Sequence, residues 1–359
     1  MIALPDGLDT PALVVDVDVM EQNIRSMAEA LAARGVALRP HFKTPKIVEV
    51  ARRQLAAGAA GLTCATIGEA EVLADAGITD VFIAYPVWAS EPKAARLRAL
   101  AERIDLSVGV DSVAGAGALA GARAGVRALV EVDCGNRRTG AAPEEAGVVA
   151  AAGADAGLDV AGVFTHGGQS YAPGEEPKRK AAEAEVAALD LAVRSLADRG
   201  LAAATVSAGS TPTAVLSARG VVTEERPGTY VFGDRMQLVI GSCTPDDIAA
   251  VVATTVVSTA VPGQFVLDAG AKTLAKDGAP WLAGHGAVMG YPDAVITRLF
   301  DHHAVCELSG GAPGPAAGEV VGVVPNHICP VVNLAAEVVV VRDGAEIDRW
   351  PVDARALNH

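Results

Sequence analysis

The chain has 359 residues, 51% of them hydrophobic, and its 29 basic and 43 acidic residues give a formal net charge of −14. This length suits a large α/β barrel with a second domain, and the acidic balance argues against nucleic acid or an anionic membrane as a partner. Because no apolar run is long enough to cross a bilayer and the N-terminus shows no secretory signal, we expect a cytoplasmic protein.

The first two thirds of the chain alternate short apolar runs with Ala/Glu/Arg-rich helical stretches. A strand is predicted over residues 10–16, followed by a helix with Asp18 as its N-cap that runs to about residue 33. Eight continuous apolar runs, as buried parallel strands require, then predict a parallel (β/α)8 barrel, with an open doubly wound sheet as the alternative. The runs cover residues 36–42, 61–66, 80–86, 106–111, 127–133, 158–166, 204–209 and 229–233.

From about residue 248 the composition and pattern of the sequence change. Val- and Thr-rich runs separated by Gly, Pro and Asp turns predict a mostly antiparallel β domain, which the strand at residues 10–16 could join. The expected domains are therefore a barrel over residues 18–245 and a β domain formed by residues 1–17 and 246–359.

Lys43 lies in the stretch Arg-Pro-His-Phe-Lys-Thr-Pro-Lys, just after the first predicted barrel strand. An amine delivered to the carboxyl end of a strand suggests a Schiff-base lysine, whereas a solvated loop lysine clustered with Arg39 and Lys46 is the alternative. Chemistry in such barrels gathers at the carboxyl ends of the strands. Other polar groups at predicted strand ends are Thr66, Tyr85, Asn136, Arg137, Arg138 and His166.

The seventh predicted strand is followed by a loop of small and hydroxyl-bearing residues, 207–213, and the eighth adds Arg226 to Tyr230. Exposed backbone N–H groups, hydroxyls and a helix start are what a phosphate needs. An isolated loop of this composition is more often a turn. Together with a lysine on the first strand, it indicates pyridoxal phosphate.

A set of motifs spread over nearly the whole chain resembles the D-threonine aldolase and D-serine dehydratase family, which shares its barrel with alanine racemase. The motifs are TPALVVD, RPHFKTPK, VEVDCGNRRTG, FTHGGQSY, SAGSTPT, RPGTYVFGD, DAGAKTL and PNHICPVVN.

The resemblance implies roles for individual residues. Lys43 would form the Schiff base, Arg138 would lie beside the phenolic oxygen of the cofactor, and Arg226 would face its pyridine nitrogen. The remaining candidate cofactor contacts are His166, Tyr171, Ser207, Gly209, Ser210, Gly228 and Tyr230.

His327 and Cys329 match the metal pair of the family, an imidazole and a second ligand two residues on. On an extended segment, this spacing lets both side chains leave one face. A buried cysteine beside a surface histidine is the alternative. A thiolate favours Zn2+ over Mn2+ or Mg2+. With Lys43 as the base, these two residues complete the candidate catalytic set.

These parts predict a lyase for D-β-hydroxy amino acids that forms a keto acid and ammonia, as a D-serine or D-threo-3-hydroxyaspartate dehydratase does. The family's aldolases mostly carry aspartate at the position of Cys329, so a D-threonine aldolase, forming glycine and an aldehyde, is the alternative. A non-catalytic cofactor-binding protein is kept as a different class. A racemase needs a second base, typically a tyrosine from the β domain, and Tyr291 is the one tyrosine in the predicted β domain, so racemisation is the weakest alternative. The resemblance also implies a homodimer.

Overall fold

The computed structural model describes residues 2–359, which pack as two compact units. The barrel unit contains residues 25–43, 50–228 and 357–359, and the β unit contains residues up to 24, 44–49 and 229–356. The domain boundaries expected from the sequence, 17/18 and 245/246, stay a prediction. No helix within residues 2–359 combines the length and the apolar character needed to span a bilayer.

Strand β1 (Ala12–Asp16) leads directly into helix α1 (Val17–Ala32). The carboxylate of Asp16 accepts the backbone N–H groups of Asp18 and Val19, both at 3.1 Å. The expected cap, Asp18, is therefore wrong: it lies in the first helical turn, and the residue two positions earlier satisfies the free N–H groups of the helix.

Eight parallel strands of the barrel unit form one sheet in the order β2-β9-β8-β7-β6-β5-β4-β3. A parallel bridge between His41 and Thr63 links the segment after β2 to β3, and Phe42 N donates to Thr63 O at 2.7 Å. The predicted eight-stranded parallel barrel is thus confirmed. Its strands are β2 (Ala37–Leu38), β3 (Leu62–Cys64), β4 (Asp80–Pro86), β5 (Asp105–Val110), β6 (Arg127–Glu131), β7 (Asp159–Phe164), β8 (Thr205–Ala208) and β9 (Glu224–Glu225).

Helices follow most of these strands, as the alternating pattern predicts. Helix α3 shows why one of them begins where it does: Thr66 Oγ1 accepts Glu69 N at 3.1 Å, while Glu69 Oε2 accepts Ala65 N at 2.7 Å. This reciprocal capping satisfies two N–H groups at the helix start. The helices are α2 (Val48–Ala56), α3 (Ile67–Asp75), α4 (Glu91–Ala101), α5 (Val113–Gly121), α6 (Ala146–Asp155), α7 (Glu175–Ala197) and α8 (Ala214–Ser217).

The last barrel strand lies earlier than the sequence predicts. Residues 229–233 were expected as a strand from their Tyr, Val and Phe content, but Thr229–Val231 is a 3-10 turn. The strand is β9, two buried glutamates, and Glu224 is tolerated there because it accepts Arg39 Nε at 2.8 Å and Ser207 Oγ at 2.6 Å.

The β unit carries a nine-stranded sheet in the order β11-β14-β13-β12-β15-β10-β1-β16-β17, and β11 also pairs with β10. The pair β1 and β16 is parallel and the other strand pairs described in this sheet are antiparallel, so the predicted antiparallel β domain with the early strand in its sheet is confirmed. Its further elements are β10 (Ala250–Ser258), β11 (Gln264–Leu267), β12 (Gly286–Val288), β13 (Ala294–Leu299), β14 (Ala304–Leu308), β15 (Val320–Pro325), β16 (Glu337–Arg342) and β17 (Ala345–Pro351), with helices α9 (Arg235–Val239), α10 (Ala271–Leu274) and α11 (Ile328–Leu334).

Candidate active site

Lys43 lies in a turn that follows the bridge at His41, at the carboxyl end of the barrel strands. Its backbone N–H donates to His41 Nδ1 at 3.3 Å, and its side chain is half-buried. The next residue, Thr44, belongs to the β unit. The chain therefore passes from one compact unit to the other immediately after the candidate lysine.

Basic groups gather around Lys43 in the barrel unit. Burial, reinforced by the charges of Lys43 and Arg226, holds the pKa of His41 well below its usual range. Burial, with the charges of Lys43 and Arg138, lowers the pKa of His166 to about 3. Neutral imidazoles beside lysine and arginine side chains leave a region of positive potential, which attracts phosphate and carboxylate groups.

Arg226, directly after β9, is a buried guanidinium held from two sides. It donates to Ser207 Oγ through Nη1 and to the Thr165 carbonyl through Nη2. Its Cζ lies 5.3 Å from the centroid of the Phe164 ring and 5.8 Å from that of Phe82. These contacts fix the planar guanidinium group of Arg226 in one orientation, as recognition of a flat ring requires.

The loop after β8 offers a cluster of buried hydroxyls. Ser210 Oγ lies 3.2 Å from Ser170 Oγ and 3.1 Å from Thr213 Oγ1. Beneath the loop, the buried carboxylate of Glu185 on α7 accepts Gly209 N at 3.0 Å and Gly167 N at 2.8 Å. The predicted phosphate loop is thus anchored from behind while its hydroxyls lie together.

The other predicted cofactor contacts occupy different positions. Arg138 is half-exposed, with Nη2 3.7 Å from Glu131 Oε1. Tyr171 directly follows the 3-10 turn Gly168–Ser170. Gly228 follows Pro227, whose carbonyl accepts His41 N at 2.9 Å. Tyr230 is buried within the β unit. The roles of these residues stay predictions.

The predicted metal pair lies in the β unit, where β15 ends and α11 begins. His327 is the N-cap residue and Cys329 the second residue of the helix, so the expected extended segment is wrong. The two side chains nevertheless share a hydrogen bond. Thr44 Oγ1 lies 3.3 Å from Cys329 Sγ, and Asp277 Oδ2 lies 2.5 Å from His327 Nδ1.

The surroundings of His327 favour positive charge. Burial opposes the charged imidazole, but the Cys329 thiolate and the hydrogen bond to Asp277 outweigh it and raise the pKa of His327 to about 11. Buried Asp234 accepts Ile328 N at 3.1 Å, and burial raises its pKa to about 6. Within residues 2–359, no three His, Cys, Asp or Glu side chains are arranged to hold a metal ion. The metal role of His327 and Cys329 stays a prediction.

Sequence reasoning missed three groups that hold the site. His41 lies in the motif RPHFKTPK, but nothing in the local sequence distinguishes its role from that of a turn residue before Lys43. Glu185 lies inside a long helix with no local signal. Asp277 precedes Gly278, and an Asp-Gly pair in a loop predicts only a turn.

Two family descriptions match consecutive parts of the chain. Residues 15–236 match "Alanine racemase, N-terminal domain", and residues 249–341 match "Putative serine dehydratase domain".

Named relatives cover almost the whole chain. A D-threo-3-hydroxyaspartate dehydratase of Delftia sp. (strain HT23) is 36% identical over 90% of this chain and 91% of its own length. A D-threonine aldolase of Arthrobacter sp. is 35% identical over 98% and 94%. A structure of D-threo-3-hydroxyaspartate dehydratase, a cysteine-to-alanine mutant in the metal-free form, has a TM-score of 0.89 at 33% identity and covers 96% and 97% of the two chains.

Proposed function

Because this chain belongs to the alanine racemase N-terminal domain family and joins that domain to a putative serine dehydratase domain, we propose a pyridoxal phosphate-dependent lyase acting on D-β-hydroxy amino acids. The relatives that span the chain are by name one dehydratase and two aldolases, two of them named for 3-hydroxyaspartate and one for threonine. We assign it to dehydration, with the natural substrate among D-serine and D-threo-3-hydroxyaspartate.

The barrel residues fit pyridoxal phosphate. A phosphate suits the hydroxyls of Ser170, Ser210 and Thr213 and the positive region around Lys43. A side chain at position 209 would collide with Glu225, since its Cβ would lie 2.1 Å from Glu225 Oε2. A bare backbone is therefore needed where the loop must accept the phosphate.

The β unit fits a divalent ion. The donors would be the His327 imidazole and the Cys329 thiolate, in surroundings that stabilise positive charge. A thiolate donor favours Zn2+ over Mn2+ or Mg2+, and we propose Zn2+. When bound, pyridoxal phosphate stabilises the charge left at Cα after proton loss, and a divalent ion polarises the β-oxygen.

Lys43 would hold the cofactor and, once displaced by the substrate amine, would take the α-proton. Arg226, fixed by Ser207 and Thr165, would face the cofactor ring with a rigid cation. Loss of the α-proton and the β-hydroxyl removes water, and subsequent hydrolysis gives a keto acid and ammonia. If the β-hydroxyl loses its proton instead, the Cα–Cβ bond breaks to give glycine and an aldehyde.

The observation that favours dehydration is the cysteine beside His327. A soft thiolate donor suits a strongly Lewis-acidic ion that makes hydroxide a better leaving group. The aldolase is the second candidate, because the Arthrobacter aldolase matches 98% of the chain. We also propose that the protein is a homodimer, as the family resemblance implies. We propose a cytoplasmic location from the sequence.

The proposal is tested by incubating the holoenzyme with D-serine, D-threonine and D-threo-3-hydroxyaspartate and measuring keto acid plus ammonia against glycine plus aldehyde. We expect keto acid and ammonia from D-serine or D-threo-3-hydroxyaspartate. Lys43→Ala is the matched inactive protein and should also lack the yellow absorbance of the bound cofactor. Glycine and acetaldehyde as the main products from D-threonine would favour the aldolase, and no turnover of any substrate would favour a non-catalytic cofactor-binding protein.

A further inference from the structure

Asp277 contacts the predicted metal ligand His327 at the ring nitrogen Nδ1. Its Oδ2 lies 2.5 Å from His327 Nδ1. The imidazole also shares a hydrogen bond with the Cys329 side chain. Because Nδ1 faces the carboxylate, Nε2 is the ring nitrogen left to bind a metal ion.

The carboxylate is itself held in place. Its Oδ1 accepts the backbone N–H of Gly278 at 3.0 Å, which fixes the side chain against its own turn. Asn326, buried and directly before His327, donates to the Asp277 carbonyl at 3.3 Å and to the Gly284 carbonyl at 2.9 Å. Arg235 Nη1 in turn donates to Asn326 Oδ1 at 3.0 Å.

These hydrogen bonds around Asp277 need an explanation other than its ion pair with His327, because an exposed ion pair contributes little to the stability of a fold. The side chains of Asp277 and His327 are 48% and 32% exposed, so a gain in fold stability does not account for the arrangement. However, the buried side-chain amide of Asn326, the residue before His327, is hydrogen-bonded to the backbone carbonyl of Asp277. These hydrogen bonds fix the carboxylate relative to the imidazole.

We propose that Asp277 is a positioning residue for the metal centre: it accepts the Nδ1–H of neutral His327 and so directs the Nε2 lone pair toward the ion that Cys329 shares. Histidine ligands commonly donate their second ring N–H to a carboxylate, which fixes both tautomer and ring orientation. This inference rests on the proposed function, since it requires that His327 and Cys329 bind the ion.

The test measures Zn2+ affinity by competition with a chromophoric chelator, on purified protein loaded with pyridoxal phosphate. We expect Asp277→Ala to bind Zn2+ about 10- to 100-fold more weakly than wild type. Asp277→Asn keeps an acceptor oxygen and should fall between them. The matched control is Asp301→Ala, which removes an exposed carboxylate from the same unit and should bind Zn2+ as wild type does.

Two further measurements separate positioning from damage to the fold. At saturating Co2+, Asp277→Ala should keep the thiolate-to-metal absorption band, and its metal-free melting temperature should match that of Asp301→Ala. Zn2+ affinity within twofold of wild type would overturn the inference, as would loss of the band or of the melting transition in both Asp277 variants. If His327→Ala binds Zn2+ as wild type does, the proposed metal site itself fails, which is a separate result.

Discussion

At the scale of single residues, the barrel site depends on imidazoles that stay uncharged among cations. His166 Nδ1 lies 3.3 Å from the Gly209 carbonyl, so a proton on Nδ1 is used to hold the phosphate loop. Its other nitrogen can stay unprotonated because burial and the charges of Lys43 and Arg138 oppose a second proton. The Arg226 guanidinium, which stays charged, is then left as a cation for an anionic ligand.

The low pKa of His166 predicts a specific acid sensitivity. In the folded protein the pKa is about 3, against 6.5 for an unperturbed histidine, so between these values only the unfolded state binds the proton. Stability is unaffected above pH 6.5 and falls as the pH drops below it, at about 1.4 kcal/mol per pH unit. His166→Asn, which keeps a donor for Gly209, should reduce the loss between pH 7 and pH 5 by about 2 kcal/mol.

Urea unfolding of the cofactor-free protein at pH 7 and pH 5 measures this difference. Exposed His302→Asn is the control and should keep the wild-type pH dependence. Other titrating groups are present in all three proteins, so they cancel in the comparison. Equal pH dependence in His166→Asn and wild type would contradict a buried neutral His166.

The sequence predicts the residues that follow strands and misses those that support them. Lys43, Arg226 and the loop at 207–213 could be found because parallel strands bring their carboxyl ends together. Glu185 could not, because its role depends on α7 packing behind two loops that are distant in sequence. Asp277 approaches His327 across 50 residues, a contact that no local pattern encodes.

At the scale of elements, the alternation of apolar runs and helices predicts seven of the eight barrel strands at close to their observed positions. The exception is β9, where Glu224 and Glu225 are charged and no hydrophobic signal exists. Their burial is supported by partners from Arg39, Ser207 and Ser217, which local sequence does not reveal. In the β unit, the apolar runs at residues 249–261, 264–269, 303–308, 319–324 and 336–341 predict five strands, whereas β12, β13 and β17 were not predicted.

The phosphate loop requires glycine at position 209, and this can be tested against a matched glycine. Gly209 has a φ of +100° and Gly58 of +98°, so alanine meets the same backbone strain at both. An added Cβ at Gly58 meets nothing within 4 Å, whereas at Gly209 it would lie 2.1 Å from Glu225 Oε2. We expect Gly58→Ala to cost about 1–2 kcal/mol and Gly209→Ala to cost about 1–3 kcal/mol more.

Gly209→Ala should also weaken cofactor binding, because the loop must move away from Glu225 to admit the methyl group. Chemical denaturation gives the free energies of unfolding, and absorbance titration gives the affinity for pyridoxal phosphate. Gly58→Ala should bind the cofactor as wild type does. Equal destabilisation of the two variants would show that the Glu225 side chain can move aside with no loss of folding free energy. The loop would then not be constrained as described.

At the scale of the whole molecule, the two candidate sites are built in different compact units. The phosphate loop, Arg226 and Lys43 belong to the barrel unit, and His327, Cys329 and Asp277 belong to the β unit. The chain crosses between the units at Lys43 and Thr44, and Thr44 Oγ1 lies 3.3 Å from Cys329 Sγ. One peptide bond therefore connects the candidate base to a residue that touches the candidate metal ligand.

This division predicts that metal and cofactor can be removed separately. A chelator should abolish lyase activity while the yellow absorbance of the bound cofactor persists. The reason is that neither predicted metal ligand contributes to the predicted phosphate loop or to the hydrogen bonds of the Arg226 guanidinium. Activity, metal content and visible absorbance are measured on the same dialysed sample. Added Zn2+ should restore turnover.

The matching variant is His327→Ala, which should bind the cofactor normally and, like the chelated protein, lack lyase activity. Added Zn2+ should not restore its activity. It is a useful control because the substitution lies in the β unit and leaves the hydrogen bonds described for Arg226, Ser207 and Ser210 in place. Unchanged turnover after verified metal loss would contradict the metal-dependent lyase. Release of the cofactor on chelation would instead show that the two sites are coupled, because a metal ligand would then be required to keep the barrel loaded.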